Sequence, residues 1–234
     1  METTLHQQLK RCYADGDENT EVVMGRYRID AIRDHELIEI QCASLSAIRD
    51  KSNDLLKRHQ LRVVKPVVSR TRIAKVKCRD GPIVSSRMSP KRGTILDLFE
   101  DLIYFTRVFP NPNLTLEVPL IRVQQVRGPG KKRRRRWHKE YKVHDVSLES
   151  IESCQEFHSA IDLLSIIPWP DGQLPDSFNT ASLAAVIDRP RWVAQQIAYV
   201  LRETGAIESM QRKKSGIVYR PTSQIKSKRP PKAA

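Results

Sequence analysis

The segment RYRIDAIRDHELIEIQ (residues 26–41) decides the fold that this sequence predicts. It holds two alternating apolar runs joined by a short polar turn, which is the pattern of an antiparallel β-hairpin. Asp30 lies near the end of the first run, and Glu39 and Gln41 lie two residues apart on the second. Because side chains alternate along a strand, Glu39 and Gln41 point the same way, and Asp30 can face Glu39 across the pair. The segment therefore predicts two carboxylates and an amide on adjacent strands.

The hairpin stands within a longer series of predicted elements. Apolar residues at every fourth position predict a helix at 4–14, and TEVVM predicts a strand at 20–24. After the hairpin, an apolar helical face predicts a helix at 44–58, and a β-branched run predicts a strand at 61–68. We therefore expect an α/β core over residues 4–68 with the order helix, strand, strand, strand, helix, strand.

The carboxylates of the hairpin suggest a cation site. Two carboxylates with an amide or backbone oxygen form an all-oxygen site, which suits Mg²⁺ or Mn²⁺ better than zinc. A cation held by Asp30 and Glu39 would bind a phosphate oxygen and lower the pKa of a bound water. The alternative is that Glu39 and Gln41 form the solvated face of an amphipathic strand, with Asp30 near a turn.

The element order, together with Asp30 and the triplet Glu39-Ile40-Gln41, resembles the PD-(D/E)XK nuclease superfamily, which includes restriction endonucleases and resolvases. That superfamily has an acid on the second strand and (D/E)-x-K on the third. The resemblance implies a restriction-endonuclease-like αβββαβ fold and metal-dependent hydrolysis of phosphodiester bonds in DNA. Asp30 and Glu39 would be catalytic metal ligands, and Gln41 would stand at the position of the usual lysine and position the attacking water.

The resemblance leaves a second interpretation open, in which a degenerate nuclease-like scaffold binds DNA as a non-enzymatic, regulatory protein. The whole chain also resembles an uncharacterised bacterial family of the same architecture, which implies no particular chemistry.

The charge of the chain favours a polyanionic partner. The sequence has 41 lysines and arginines against 27 acidic residues, with a formal net charge of +14. Residues 57–92 hold twelve bases and one acid, and residues 122–142 hold ten bases and one acid, whereas residues 1–56 hold eleven acids and seven bases. An excess of this kind favours nucleic acid first and an anionic membrane surface second.

The most basic run, KKRRRRWHK (131–139), lies between a strand predicted at 114–127 and a returning strand predicted at 141–148. Arginine grips phosphates bidentately, and tryptophan stacks on exposed bases. From this run we expect nucleic-acid contacts by Arg133, Arg134, Arg135, Arg136 and Trp137. The alternatives are a solvated hairpin tip, a targeting signal, and RNA binding through the same arginines.

The C-terminal part predicts a winged helix-turn-helix over residues 175–222. Thr180 caps a first helix, Pro190 suits the first turn of a second helix, and Gly205 suits its end. A strand, a polar turn and a strand follow. Arginine and glutamine read guanine and adenine edges in the major groove. We expect DNA contacts from the outer face of the second helix and from the wing, at Arg191, Gln195, Tyr199, Arg202, Lys213 and Lys214. A winged helix that contacts proteins is the alternative.

The predicted domains are a nuclease-like α/β domain at 1–157 and the winged helix. The first domain combines the core with a basic elaboration at 70–157, which contains a hairpin turning at Asp80-Gly81 and a largely buried helix at 94–109. PWPDGQLPD (168–176) predicts a linker, and the composition of residues 223–234 predicts a disordered tail.

The remaining signals concern location and partners. The four cysteines form no CxxC pair and the six histidines have no ligand spacing, so we expect reduced thiols, no zinc and a cytoplasmic location. Since no apolar run approaches 18 residues, we expect no transmembrane helix and no membrane partner. The expected partner is duplex DNA with Mg²⁺ or Mn²⁺ as cofactor, and the sequence leaves open whether the chain forms a homodimer.

Overall fold

A computed structural model of the chain describes residues 3–16, 19–130, 141–213 and 216–222. It has a mixed α/β architecture in which the chain forms two compact units. The first unit contains Met1–Cys42, His59–Ile95 and Glu117–Glu156. The second unit contains Ala43–Arg58, Leu96–Leu116 and Phe157–Ala234.

This division does not follow the order of the chain. The sequence suggested one continuous domain over 1–157, whereas residues 43–58 and 96–116 cluster with the C-terminal residues. Two hydrogen bonds within the second unit join these two segments to each other. The backbone N–H of Leu45 donates to the Asp101 carboxylate at 3.3 Å, and the Asn113 side chain donates to the Leu56 carbonyl at 3.2 Å.

One helix and a mixed sheet form the first unit. The helix is α1 (Thr4–Tyr13). The strands, two of which continue a few residues into the second unit, are β1 (Thr20–Met24), β2 (Tyr27–Arg33), β3 (Glu36–Ile40), β4 (Leu61–Val64), β5 (Val67–Val76), β6 (Ile83–Met88), β7 (Leu114–Pro129) and β8 (Tyr141–Phe157).

The strand order is β1-β2-β3-β4-β7-β5-β6, and β8 also pairs with β7. The β3/β4 and β5/β7 pairs are parallel, and the β1/β2, β2/β3 and β5/β6 pairs are antiparallel. The predicted order of helix, three strands, helix and strand is therefore present up to β4. One core cluster packs α1 on the sheet, through Leu5, Leu9 and Tyr13 from the helix and Ala31, Ile38, Ile40, Val64, Ile121 and Val123 from the strands.

The strand predicted at 61–68 is divided into two. β4 ends two residues before Pro66, which has no N–H to donate to a ladder, and Lys65 donates its N–H to the Glu117 carbonyl at 2.8 Å. The hairpin predicted at 70–92 is present as β5 and β6, and Asp80 adopts a φ of +64° in its turn. The returning strand extends to Phe157, well beyond its predicted end.

The second unit contains short helices and a small sheet. Its helical elements are a 3-10 turn (Leu45–Ile48), α2 (Arg49–Leu55), α3 (Leu98–Leu102), α4 (Ala160–Ser165), α5 (Thr180–Ile187) and α6 (Arg191–Glu203). Its strands β9 (Phe178–Asn179), β10 (Ile207–Lys213) and β11 (Gly216–Pro221) form a sheet in the order β10-β11-β9. Helix, short turn, helix and hairpin thus follow one another as predicted.

The long helix predicted at 94–109 is wrong in length. Only Leu98–Leu102 is α-helical, and the residues after it form tight turns, with the Phe105 N–H bonded to the Leu102 carbonyl at 2.9 Å. Aromatic and β-branched residues, which are weak helix formers, dominate this stretch. Its apolar residues are nevertheless buried, including Phe99, Phe105 and Phe109.

Two smaller predictions about the second unit also change. The cap of α5 is Asn179, not Thr180, because the Asn179 side chain accepts from the N–H groups of Ala181 and Ser182. The 168–176 segment is not solvated throughout, since Trp169 is buried and its ring centroid lies 5.1 Å from that of Phe178. None of the helices in the described ranges is long and apolar enough to cross a membrane.

Candidate functional site

Asp30 and Glu39 occupy neighbouring positions on β2 and β3. Ala31 pairs with Ile38 and Ile32 with Leu37, and the same register continued by one residue places Asp30 opposite Glu39. The backbone N–H of Ile40 donates to Asp30 Oδ2 at 2.9 Å. The structure therefore places the Asp30 carboxylate against the backbone of Ile40, the residue next to Glu39 on β3.

Helix α1 contributes two further side chains to this cluster. Lys10 Nζ lies 3.3 Å from Asp30 Oδ1, and His6 Nε2 lies 3.4 Å from Asp30 Oδ2. Lys10 also contacts Glu21 on β1 at 2.5 Å, and its side chain is only 9% exposed. Sequence reasoning missed His6 and Lys10, although their spacing of four residues places them on one face of a helix.

The Asp30 carboxylate is held in its charged form. Burial works to raise its pKa, but the contact with His6, the hydrogen bond from Ile40 and the charge of Lys10 outweigh burial. The pKa of Asp30 therefore lies below its ordinary value, and the group is an anion at neutral pH.

The other two predicted residues are less accessible than expected for a catalytic surface. Glu39 is 4% exposed. Gln41 is half-buried just beyond the end of β3, and its backbone N–H donates to the Val64 carbonyl at 2.9 Å. Both residues continue the parallel pairing of β3 with β4.

Asp30 and Glu39 supply part of the oxygen set that Mg²⁺ or Mn²⁺ requires. In the described part of the chain, no group of three or more His, Cys, Asp or Glu side chains is arranged to hold a metal ion. The Lys10 ammonium now lies beside Asp30 Oδ1. A cation shared by Asp30 and Glu39 therefore requires Lys10 to move away from that oxygen.

A second acidic cluster in the same unit surrounds Glu117 on β7, and no sequence signal pointed to it. Tyr13 donates to Glu117 Oε1 at 2.5 Å, and Cys154 donates to the same oxygen at 3.0 Å. Arg62 binds Glu117 Oε2 and also contacts Glu36 and Glu156. The cluster therefore joins α1, β3, β4, β7 and β8.

The pKa shifts in this cluster follow from those contacts. Burial works to raise the pKa of Glu117, but hydrogen bonds from Cys154, Tyr13 and Arg62 outweigh it and lower the pKa. Burial and the hydrogen bond to Glu117 raise the pKa of Cys154 to about 12, and the same two causes raise the pKa of Tyr13. At neutral pH the carboxylate is charged and both donors keep their protons.

The outer face of α6 carries the four residues predicted there. Arg191, Gln195, Tyr199 and Arg202 are all exposed. The Arg202 guanidinium lies 5.6 Å from the Tyr199 ring centroid and also pairs with Glu203. Sequence reasoning missed Trp192, which is 54% exposed beside Arg191. An apolar residue out of phase with the buried face of the helix was the available signal.

Other predicted contacts cannot be placed. Arg133, Arg134, Arg135, Arg136 and Trp137 lie outside the described residues, as do Lys214 and the 223–234 tail. Lys213 ends β10.

The chain was compared with known proteins. No solved structure matches it. A protein of Treponema pallidum (strain Nichols), named only "Uncharacterized protein", is 28% identical over 172 residues, which are 71% of this chain and 68% of that protein. A family model described as "Domain of unknown function (DUF8091)" matches residues 3–158, more than half of the chain. The match spans both acidic clusters and ends before α5 and α6, and it shows that the chain belongs to the DUF8091 family.

Proposed function

We propose that this protein binds duplex DNA, with α6 as the helix that enters the major groove. The observation that carries the proposal is a continuous exposed stripe along α6, formed by Arg191, Trp192, Gln195, Tyr199 and Arg202. The opposite side of the helix is buried, with Ala194, Ile197, Ala198 and Leu201 inside the second unit. The stripe therefore faces away from the buried side of the helix, and Arg191 Nε also donates to Thr180 Oγ1 at 3.2 Å.

The chemistry of the stripe suits a base-reading surface. Arginine binds the O6 and N7 atoms of guanine, and glutamine binds the N6 and N7 atoms of adenine. A helix of 13 residues is about 20 Å long, which is enough to cross a major groove about 12 Å wide. The net charge of +14 supports a polyanionic ligand.

The elements around α6 support its assignment as the recognition helix of a winged helix-turn-helix. α5 and α6 are separated by three residues, and the β10/β11 hairpin follows directly. β9, which precedes α5, pairs with β11 and closes a three-stranded sheet. This arrangement leaves α6 as the exposed second helix and the hairpin as the wing. This function requires a compartment that contains DNA, and the cysteines are expected to be reduced thiols. Both conditions favour the cytoplasm.

Fluorescence anisotropy with a labelled pool of random duplexes tests the proposal. Arg191→Ala should weaken binding about tenfold or more, because a bidentate base contact contributes roughly 1–3 kcal/mol. Arg220→Ala is the matched control, since it removes one exposed arginine that already pairs with Glu208 on the hairpin. Equal effects of the two substitutions, or no binding by the unmodified chain, would contradict the proposal.

A second candidate function is metal-dependent hydrolysis of the bound DNA. The observation that favours it is the contact of the Asp30 carboxylate with the backbone N–H of Ile40, next to Glu39 on β3. In this function the two carboxylates would hold Mg²⁺ or Mn²⁺, which would supply Lewis-acid activation of the phosphate and of a water. Gln41 would orient that water through its amide, as the nuclease resemblance implies. Lys10 would leave Asp30 Oδ1 for the phosphate.

Incubation of supercoiled plasmid with the protein and Mg²⁺ or Mn²⁺ tests this second function. The unmodified chain should nick the plasmid, and a chelator should stop the reaction. Asp30→Asn and Glu39→Gln should abolish nicking while duplex affinity stays within about twofold, because binding depends on other contacts. If the unmodified chain cuts no plasmid with either metal, hydrolysis is excluded and DNA binding alone remains.

A further inference from the structure

The arginines of the first unit's sheet differ in whether a glutamate pairs with them. Three of them each contact a glutamate of β8, and the pairs are Arg62–Glu156, Arg72–Glu149 and Arg122–Glu152. The glutamates follow one another along β8 at intervals of three and four residues. β8 therefore neutralises a row of arginines on β4, β5 and β7, and this row attracts a polyanion weakly.

A second set of basic residues lies at the β5/β6 hairpin and the loop that follows it. We call this set the hairpin surface, and it consists of Lys75, Lys77, Arg87, Lys91 and Arg92. All five are exposed. Within the described ranges, none of their side chains pairs with a carboxylate. The nearest acid along the hairpin is Asp80 at its turn, beside Arg79.

The hairpin surface is held by regular backbone contacts. β6 is the edge strand of the sheet, and all six of its residues are exposed. Ile73 pairs with Arg87 and Lys75 with Ser85, so Lys75 and Arg87 project from the same face. The loop beyond β6 is fixed at two points, because Ser89 donates its N–H to Thr71 at 2.8 Å and Gly93 donates to Ser69 at 3.0 Å.

We propose that the hairpin surface is a second DNA-binding site, which contacts phosphates of the duplex without reading bases. This inference rests on the proposed DNA-binding function and adds a site that α6 does not include. Lysine and arginine without carboxylate partners release counterions when they meet phosphates, which is the main source of sequence-independent affinity. Ser85, which pairs with Lys75 and lies on the same face, adds a hydroxyl donor of the kind that contacts phosphate oxygens.

The charge pairing gives this proposal a specific consequence. Lys75 and Arg87 break no ion pair with a carboxylate when DNA binds. Arg72 and Arg122 must first break their ion pairs with Glu149 and Glu152. Loss of the first pair of charges should therefore weaken DNA binding, and loss of the second pair should weaken it far less. An attraction due to net charge alone would make the two losses equal.

The test compares two double variants of the full chain that lose the same number of positive charges. Affinity for a 20-bp duplex is measured by anisotropy at several salt concentrations. Lys75→Gln/Arg87→Gln should reduce the slope of log K against log[salt] by about 2 and weaken binding about tenfold at physiological salt. Arg72→Gln/Arg122→Gln should leave the slope unchanged, and its loss of affinity should be far smaller, because it removes no phosphate contact and only exposes the charges of Glu149 and Glu152. Lys75→Arg/Arg87→Lys, which keeps both charges, should bind as the unmodified chain does.

Several outcomes would overturn the inference. One is an equal change in both double variants, and another is no change in the hairpin variant. A third is tighter binding to anionic vesicles than to the duplex, lost in Ile83→Ser/Val84→Ser, since those exposed apolar side chains lie on β6. A fourth is stronger competition by an RNA hairpin of equal length.

Failure of this inference is distinguishable from failure of the proposed function. If Arg191→Ala weakens binding and the hairpin variant matches its control, only the hairpin surface is excluded. If the hairpin variant weakens binding and Arg191→Ala does not, the hairpin surface stands and α6 is excluded as the reading helix.

Discussion

Glu117 and Asp30 are two carboxylates of the same unit, each in contact with α1, and they differ in how fully they are enclosed. Glu117 receives hydrogen bonds from Tyr13, Cys154 and Arg62. Asp30 has a side chain that is 19% exposed and is contacted by Lys10, His6 and one backbone N–H. Both carboxylates have partners on both oxygens, but those of Glu117 come from three separate elements and its side chain is 9% exposed, about half the exposure of Asp30.

The difference predicts different consequences when each carboxylate is removed. An enclosed carboxylate whose donors come from separate elements stabilises the fold, because its removal leaves several buried polar groups unpaired. A carboxylate that keeps some exposure, such as Asp30, would be able to exchange its lysine for another cation or a ligand. The same reasoning places Arg62 with the structural cluster and Lys10 with the candidate site.

The largest expected effect is the loss of stability when Glu117 is removed. Glu117→Ala leaves the Tyr13 hydroxyl without its acceptor and removes one partner of Arg62, so the free energy of unfolding should fall by about 3 kcal/mol. Urea unfolding measures this change. Glu149→Ala, which breaks an exposed pair with Arg72, is the control and should cost less than about 1 kcal/mol. Equal losses would remove the distinction between the two kinds of ion pair.

A smaller loss of stability is expected at Asp30. Asp30→Ala removes one contact of Lys10 and keeps its contact with Glu21, so the free energy of unfolding should fall by about 1 kcal/mol. Lys10→Met in the Asp30→Ala background should cost less than Lys10→Met alone, since the pair is then already broken. A loss at Asp30 as large as that at Glu117 would break the comparison.

Acid should destabilise the protein through both carboxylates. The folded-state pKa values of Asp30 and Glu117 lie below the ordinary values of 3.8 and 4.5. The unfolded chain therefore binds these protons first, and the stability that both groups contribute is complete above those ordinary values. It is lost as the pH falls through the folded-state values. Urea midpoints between pH 6 and pH 3 should decline less steeply in Glu117→Gln and in Asp30→Asn, and unchanged slopes would contradict the assigned pKa directions.

The smallest expected effect is a difference in cysteine reactivity. Since the pKa of Cys154 is raised to about 12, its thiol should react with iodoacetamide more slowly at pH 8 than the thiol of Cys12, which serves as an internal reference. Glu117→Gln removes the charge that helps to raise this pKa. It should therefore increase the reaction rate of Cys154 with iodoacetamide and leave that of Cys12 unchanged. Mass spectrometry of timed samples measures both rates, and equal rates in the unmodified chain would refute the enclosed cluster.

Sequence predicts the residues of the candidate site whose positions depend on a nearby turn. Asp34 and His35 form the two-residue turn of the hairpin, with φ values of +50° and +66°. Two residues of positive φ suit the tight turn that joins antiparallel strands, and such a turn fixes the pairing of Arg33 with Glu36. Asp30 and Glu39 follow from that register by counting. The exposed residues of α6 follow similarly from helical spacing and its caps.

Local patterns were insufficient where a segment packs in a way its own residues do not specify. The apolar residues of 94–109 indicated burial correctly but suggested a continuous helix. Turns accomplish the same burial, because residues such as Phe105 need only reach the core and not extend a helix. The prediction for the 168–176 segment erred in the other direction, because it expected a solvated linker where part of the segment is buried. The prolines suggested that linker, whereas Trp169 is packed against Phe178.

The sequence by itself determined most of the strands and helices and the β2/β3 hairpin, because alternation, caps and turn residues act over a few neighbouring positions. Only the tertiary structure decided which charges meet. Tyr13 reaches Glu117 across 104 residues of sequence and Arg62 reaches it across 55, because β7 is inserted between β4 and β5 in the sheet. The partner of an ionisable side chain depends on the order of strands in space, and no periodicity along the chain encodes that order.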